Sequence, residues 1–177
     1  SSSILSPSAL ACYQHKIFLA SKHLNRLSVY NTKKECLGTI QSSVVEFGED
    51  FKDNPIPKGI LSSPFGVVIG SDSHIYVASN LHNIIKEFDQ DGQEVGSFGE
   101  PPADKKEKRG ENGFPEDLVF DQQGYCYVTY NSPSSIRVFK KDFSLHMTIM
   151  IKDGYPGSLA INAAGFLIVG VPNYRDN

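Results

Sequence analysis

With 177 residues, 40% of them hydrophobic and 21% charged, the chain has the make-up of a globular protein rather than a disordered or fibrous one. Its formal charge of −3 offers no overall attraction to nucleic acid, so any such binding would need a local basic patch. No apolar run reaches the length of a membrane-spanning helix, and nothing at the N-terminus reads as a signal peptide.

The first segment, 4–47, carries short apolar runs at Ala9–Cys12, Ile17–Ala20, Leu27–Tyr30 and Cys36–Ile40. The second, 61–99, is the clearest. Val67-Val68-Ile69 follows a Pro-x-Gly and stops at the turn Gly70–Ser73. Ile75–Ala78, Ile84–Phe88 and Glu94–Phe98 come next, with Asp91-Gly92 between the last two. Each run is too short for a helix, is rich in β-branched or aromatic residues and is bounded by turn formers, which predicts strands joined as an antiparallel meander. The third segment, 114–150, repeats the plan through Leu118–Asp121, Gly124–Val128, Ile136–Phe139 and His146–Ile149. A truncated fourth, 155–177, offers only Leu159–Asn162 and Phe166–Val169. The expected strands are 8–12, 16–20, 26–30, 66–69, 74–79, 84–89, 94–98, 117–120, 125–130, 136–140, 145–150, 158–161 and 166–170. The run Cys36–Ile40 belongs to the repeat without being counted among them. Pro7, Pro64, Pro115 and Pro156 mark the four starts at roughly 40–60-residue spacing, the signature of a repeat architecture.

The repeat resembles the NHL family, whose pattern is Pro-x-Gly-Val-x-Val-Asp, Ile-Tyr-Val-Ala-Asp, Asn-x-Ile-x-Val-Phe-Asp, Asp-Gly and Phe-Gly. The match is best in 61–99. It departs at Ala9 and Asp117, where the family has Gly, and at Ser21, Ser79, Tyr130 and Val171, where it has Asp. The absence of Trp argues against a WD propeller, and the absence of paired glycines against a Kelch one. The resemblance implies an all-β propeller of four-stranded antiparallel blades, here three and a half of them over 1–177. A propeller ring needs at least four blades, and the family usually has six. The sequence is therefore expected to be part of a longer propeller, with the missing blades as one of its partners.

The resemblance implies that connections between blades and the loops between second and third strands share one face, where binding usually resides. The candidate ligand-face residues are Asn25, Arg26, Leu81, His82, Asn83, Lys105, Lys106, Arg109, Phe114, Tyr130, Asn131 and Tyr174. The bland reading of Lys105–Arg109 is a solvated charge run. Catalytic motifs are missing: no Gly-x-Ser-x-Gly, no Walker loop, no His-Glu-x-x-His and no close His pair. Asp117, Asp121 and Asn162 lie near the ends of the innermost strands, where a channel metal could sit, but turn-making is the simpler role for Asp121. No metal or other cofactor is expected. Cys12, Cys36 and Cys126 are odd in number and widely spaced without a Cys-x-x-Cys pair, which reads as free thiols and a cytoplasmic location.

Two functional classes follow from the resemblance. One is a non-catalytic recognition module that binds a protein partner or RNA, as in the C-terminal propeller of TRIM-type ubiquitin ligases, whose RING domain is absent here. The other is part of a metal-dependent propeller enzyme similar to peptidyl-amidoglycolate lyases or lactonases. Neither a membrane nor DNA is an expected partner. The enzyme reading needs inward ligands, and the matching positions Tyr13, Gly70, Asp121 and Asn162 contain no His, so recognition is preferred. With both end blades uncovered, the isolated chain is expected to aggregate or unfold. A monodisperse monomer with a cooperative melt would contradict that.

Overall fold

The computed structural model describes residues 6–41, 61–99 and 113–172. Within them the chain forms fourteen strands and two single 3-10 turns, Lys22–Leu24 and Asn80–His82. Blade one contains β1 (Pro7–Tyr13), β2 (Lys16–Ser21), β3 (Arg26–Asn31) and β4 (Cys36–Gln41). Blade two contains β5 (Pro64–Ile69), β6 (Ile75–Ser79), β7 (Ile84–Phe88) and β8 (Glu94–Phe98). Blade three contains β9 (Pro115–Phe120), β10 (Cys126–Asn131), β11 (Ser134–Phe139) and β12 (Leu145–Met150). Blade four holds β13 (Leu159–Ile161) and β14 (Leu167–Val169). In every sheet the strands neighbour one another in chain order, and every pairing is antiparallel. The expected strands are all found within a residue or two, and β4 is added to them. Its middle residue, Gly38, and its exposure weaken the alternation that would have marked it as a strand.

The hairpins are built by a recurring side-chain device. The Asp89 carboxylate accepts the backbone N–H groups of Asp91 and Gln93, both at 2.9 Å, around Gly92 at φ +83°. Asp121 does the same for Gln123 and Tyr125, at 2.9 and 2.8 Å. Asn162 serves Ala164 and Phe166, at 3.0 and 2.9 Å, and Asn31 serves Lys33 and Glu35, both at 2.9 Å. The oxygen mimics a backbone carbonyl and fixes the chain reversal, which is why Asp or Asn stands there.

Blades stack because alternate residues of a strand point to opposite sheet faces. In β6, Ile75 and Val77 face blade one and join Phe18, Ala20, Leu27, Leu61, Val67 and Phe88 in a closed cluster. Tyr76 and Ala78 face blade three and meet Leu118, Cys126, Val128, Tyr130 and Phe139. Aromatic rings fill this second junction. Tyr76 lies edge-on to Phe120 at 4.8 Å between centroids, and Phe98 stacks on Phe143 at 4.3 Å. Such pairs add to the area they bury.

The innermost strands β1, β5, β9 and β13 run side by side along the concave side, and specific polar contacts tie them together. Ser8 Oγ donates to the Pro64 carbonyl at 2.7 Å. Gly66 lies so close to β9 that a Cβ there would fall 2.8 Å from the Glu116 carbonyl oxygen and 2.9 Å from Asp117 Cα. Gly66→Ala should therefore cost about 1–3 kcal/mol through backbone displacement. Tyr76→Ala should cost about 3–5 kcal/mol by emptying the second junction. Urea unfolding of the two variants beside the wild type checks both figures, and a variant of wild-type stability would refute the packing assigned to that residue.

Candidate functional site

The loops after the second strands and the segments leading into the first strands are stitched into one surface. Asn25, left-handed at φ 47°, accepts the Ser63 N–H on its side-chain oxygen at 2.7 Å. The backbone N–H groups of Asn80 and Leu81 donate to the Ser63 and Ser62 carbonyls, each at 3.3 Å. Asn80 Nδ2 reaches the Pro115 carbonyl at 3.1 Å, and the Asn131 N–H donates to the Phe114 carbonyl at 3.2 Å. Asn83, at φ 61°, closes the 3-10 turn. Asn131 Nδ2 donates to Glu116 Oε1 at 2.9 Å.

These bonds give several candidate residues a structural task. Tyr130 is fully buried, and the Arg137 guanidinium lies 4.1 Å from its ring centroid. It cannot offer its ring to a base or a partner, which corrects its place among the ligand-face residues. The signal that suggested it was its position at a strand end, which gives no information about burial. The side chains of Asn25 and Asn131 spend hydrogen-bonding groups on the scaffold. His82 Nδ1 sits 2.7 Å from Ser79 Oγ, and burial, helped by the nearby Lys86 charge, pushes its pKa down to about 4, so it is neutral near pH 7. Arg26, Leu81 and Phe114 remain half-buried at the surface. Lys105, Lys106, Arg109 and Tyr174 lie outside the described residues.

On the concave side the innermost strands line a hollow of about 620 Å³ that includes Ser8, Leu10, Phe65, Glu116, Asp117 and Leu159. Asp117 lines this hollow, and each of its carboxylate oxygens accepts a backbone N–H. Oδ2 accepts the Leu159 N–H at 2.8 Å across to blade four, and Oδ1 accepts the Leu118 N–H at 2.9 Å. Burial raises its pKa, and these two bonds oppose the rise. Buried Thr129 completes the join, donating to the Gly157 carbonyl at 2.9 Å. Asp121 and Asn162 are spent on turns, as described above. Asp117, Asp121 and Asn162 thus each carry a structural hydrogen-bonding task.

Away from this hollow, Asp72, His74 and Glu87 bring three potential ligand atoms within 4.8 Å of one another. His74 Nδ1 lies 2.5 Å from Glu87 Oε1, and the Tyr76 hydroxyl donates to Asp72 Oδ2 at 2.7 Å. The hydrogen bond to Glu87 raises the His74 pKa against the opposing effect of burial. The trio forms a satisfied network around the emerging hydroxyl of a core tyrosine. Sequence reasoning overlooked it because Asp72 and His74 come from the turn before β6 and Glu87 from β7, brought beside them by the pairing of β6 with β7.

No protein-family model matches the sequence, and no curated protein does. Solved structures do. Virginiamycin B lyase from Staphylococcus aureus superposes with a TM-score of 0.67 at 13% identity, over 95% of this chain and 50% of that one. A protein of unknown function from Bacteroides caccae gives 0.64 at 16% identity, over 93% and 53%. Hydrazine synthase from Kuenenia stuttgartiensis gives 0.70 at 12% identity, over 99% and 45%. The fold is that of a β-propeller. At these identities the likeness establishes fold alone, and the chain spans about half the length of the structures it matches.

Asp117→Ala should cost about 1.5–3 kcal/mol, the worth of hydrogen bonds to a charged group, with Asp117→Asn losing less. Thermal and urea unfolding measure it, and an unchanged stability would refute the staple. His82 makes a prediction with a definite sign. The unfolded chain takes up a proton near pH 6.5 and the folded one only near pH 4, so stability should fall as pH drops through that window. In His82→Asn this fall should be shallower, read as the melting temperature at steps between pH 7 and pH 4.5.

Proposed function

We propose that this chain is a recognition module whose stitched loop surface binds a protein partner. The observation that carries this reading is the fate of the polar groups on that surface. Tyr130 is buried beneath Arg137, and the Asn25 and Asn131 side chains are committed to the scaffold. Among the described residues, these three candidates for stacking on or reading a splayed base are thus committed to the scaffold. What the surface offers instead is a rigid backbone with Leu81 and Phe114 half-buried on it, and apolar anchors in a fixed frame suit a protein. In the finer version of this reading the module selects targets for a TRIM-type ubiquitin ligase of the NHL class. RNA binding is the second reading and rests on Arg26 together with Lys105, Lys106 and Arg109.

A metal-dependent lyase or lactonase is the remaining alternative, prompted by the lyase among the structural neighbours. The commitment of both Asp117 oxygens to backbone N–H groups weighs against it.

Affinity for a single-stranded RNA oligonucleotide, measured at two salt concentrations, separates the first two readings. Protein recognition expects weak RNA binding that Arg26→Ala hardly alters. It also expects Leu81→Asp or Phe114→Ala to abolish capture of a partner without lowering the melting temperature. Tight RNA binding that falls steeply with salt and is lost in Arg26→Ala would favour RNA. Stoichiometric metal in the purified protein would favour the enzyme.

A further inference from the structure

The repeat sets a standard against which each blade can be compared. The third-strand residue opposite Phe18 in blade one is Val29, and the one opposite Tyr127 in blade three is Val138. Val29 packs against the core between blades one and two, and Val138 is 3% exposed. The corresponding residue in blade two, opposite Tyr76, is Glu87. Among blades one to three, blade two alone puts a carboxylate where packing asks for valine, and that side chain is 15% exposed. The turn before β6 departs from the repeat as well. Gly70 stands where Asp121 and Asn162 make the turns of blades three and four, and the carboxylate comes two residues later, from Asp72. Asp72 Oδ1 accepts the His74 N–H at 3.0 Å, which leaves Oδ2 for the Tyr76 hydroxyl and the His74 ring. Two glycines make the room. A Cβ at Gly70 would lie 2.5 Å from Asp72 Oδ1, and one at Gly96 2.8 Å from Glu87 Oε2.

We propose that Asp72, His74 and Glu87 bind a divalent transition-metal ion, with zinc the best match. One imidazole nitrogen and two carboxylates suit zinc and leave a fourth position for water, whereas magnesium and calcium take oxygen ligands. Zinc about 2.0 Å from each ligand needs ligand atoms roughly 3.3 Å apart in a tetrahedron. His74 Nδ1 stands 2.5 Å from Glu87 Oε1 and 3.9 Å from Asp72 Oδ2, on either side of that spacing, and a small rotation of the partly exposed ring evens them. The frame is held from two sides. Strand pairing keeps Glu87 opposite Tyr76, and the Tyr13 hydroxyl meets Ser73 Oγ at 2.5 Å, tying the turn to blade one. Charge points the same way. Among the described residues, His74 is the one group of positive charge paired with either carboxylate, so two negative charges meet at most one positive. Partly buried charge left unbalanced in this way is relieved by a bound cation. The ion takes the place of the proton between His74 Nδ1 and Glu87 Oε1, and the imidazole keeps a proton on Nε2. The site lies at the start of β6, at the opposite end from the stitched loop surface, and its residues do not line the concave hollow.

Calorimetric titration of zinc into the purified protein, first stripped with a chelator, provides the test. Zinc should bind at a single site and raise the melting temperature, and magnesium or calcium at the same concentrations should do neither. His74→Ala and Glu87→Gln should each weaken zinc by about 100-fold or more, since loss of a residue that only orients a ligand already costs about 10–100-fold. Glu87→Val separates binding from folding. It restores the residue type of the other blades, so without metal it should melt no lower than the wild type, yet zinc should no longer raise its melting temperature. Should that variant unfold, His74→Ala and Glu87→Gln carry the same comparison. A wild type that takes up no zinc would overturn the proposal. So would zinc affinity unchanged in His74→Ala and Glu87→Gln, which would put the ion elsewhere in the molecule. Magnesium or calcium bound as tightly as zinc would also overturn it, marking no more than an acidic surface.

Discussion

Everything in this molecule depends on one contact, the packing of the aliphatic front of a blade on the back of the blade before it. A four-stranded meander has two apolar faces and cannot bury both by itself, so an isolated blade is not a stable unit. Side chains that alternate along the second strand of each blade divide between the two junctions, and Tyr76 shows what the division achieves. Its ring completes an aromatic cluster with Phe98, Phe120 and Phe143 on one side of the sheet. Its sequence neighbours Ile75 and Val77 seal the junction on the other side. A one-residue slip in β6 would reverse both sets at once, and for that reason the register is strongly held.

Polar chemistry is subordinate to this stacking. Asp117, Thr129, Asn25 and Asn80 all connect neighbouring blades, or connect loops to the segments leading into the next blade. The stitched loop surface is therefore rigid because each loop is bonded to the next repeat, and a rigid frame of loops is the usual setting for recognition. The same economy extends to the concave side. Each oxygen of the Asp117 carboxylate accepts a backbone N–H, one of them from blade four, so this group ties strands together there.

Chemistry-bearing residues thus divide by what surrounds them. Asp89, Asp121, Asn162 and Asn31 are of different types in different blades, yet each makes the same turn, because the turn needs only an oxygen at that position. Asp72, His74 and Glu87 form a network around a tyrosine hydroxyl that emerges from the core.

The sequence by itself determined the all-β class, the four repeat starts and nearly every strand. Period-two apolar runs bounded by Gly, Asp and Asn are local signals, and the turns that they imply close within five residues. Among the described residues, meander connectivity also brings the turns after the second strands next to the segments that lead into the first strands. Only the tertiary structure decided which of those loop residues are free to bind. Tyr130 and Asn131 are adjacent in sequence and alike in polarity, but one lies wholly inside the blade junction and the other bonds to Glu116 at its margin. The role of Asp117 was likewise hidden. Its Oδ2 accepts the N–H of Leu159, far along the chain. Contacts between repeats are set by how sheets stack, and no local pattern encodes them.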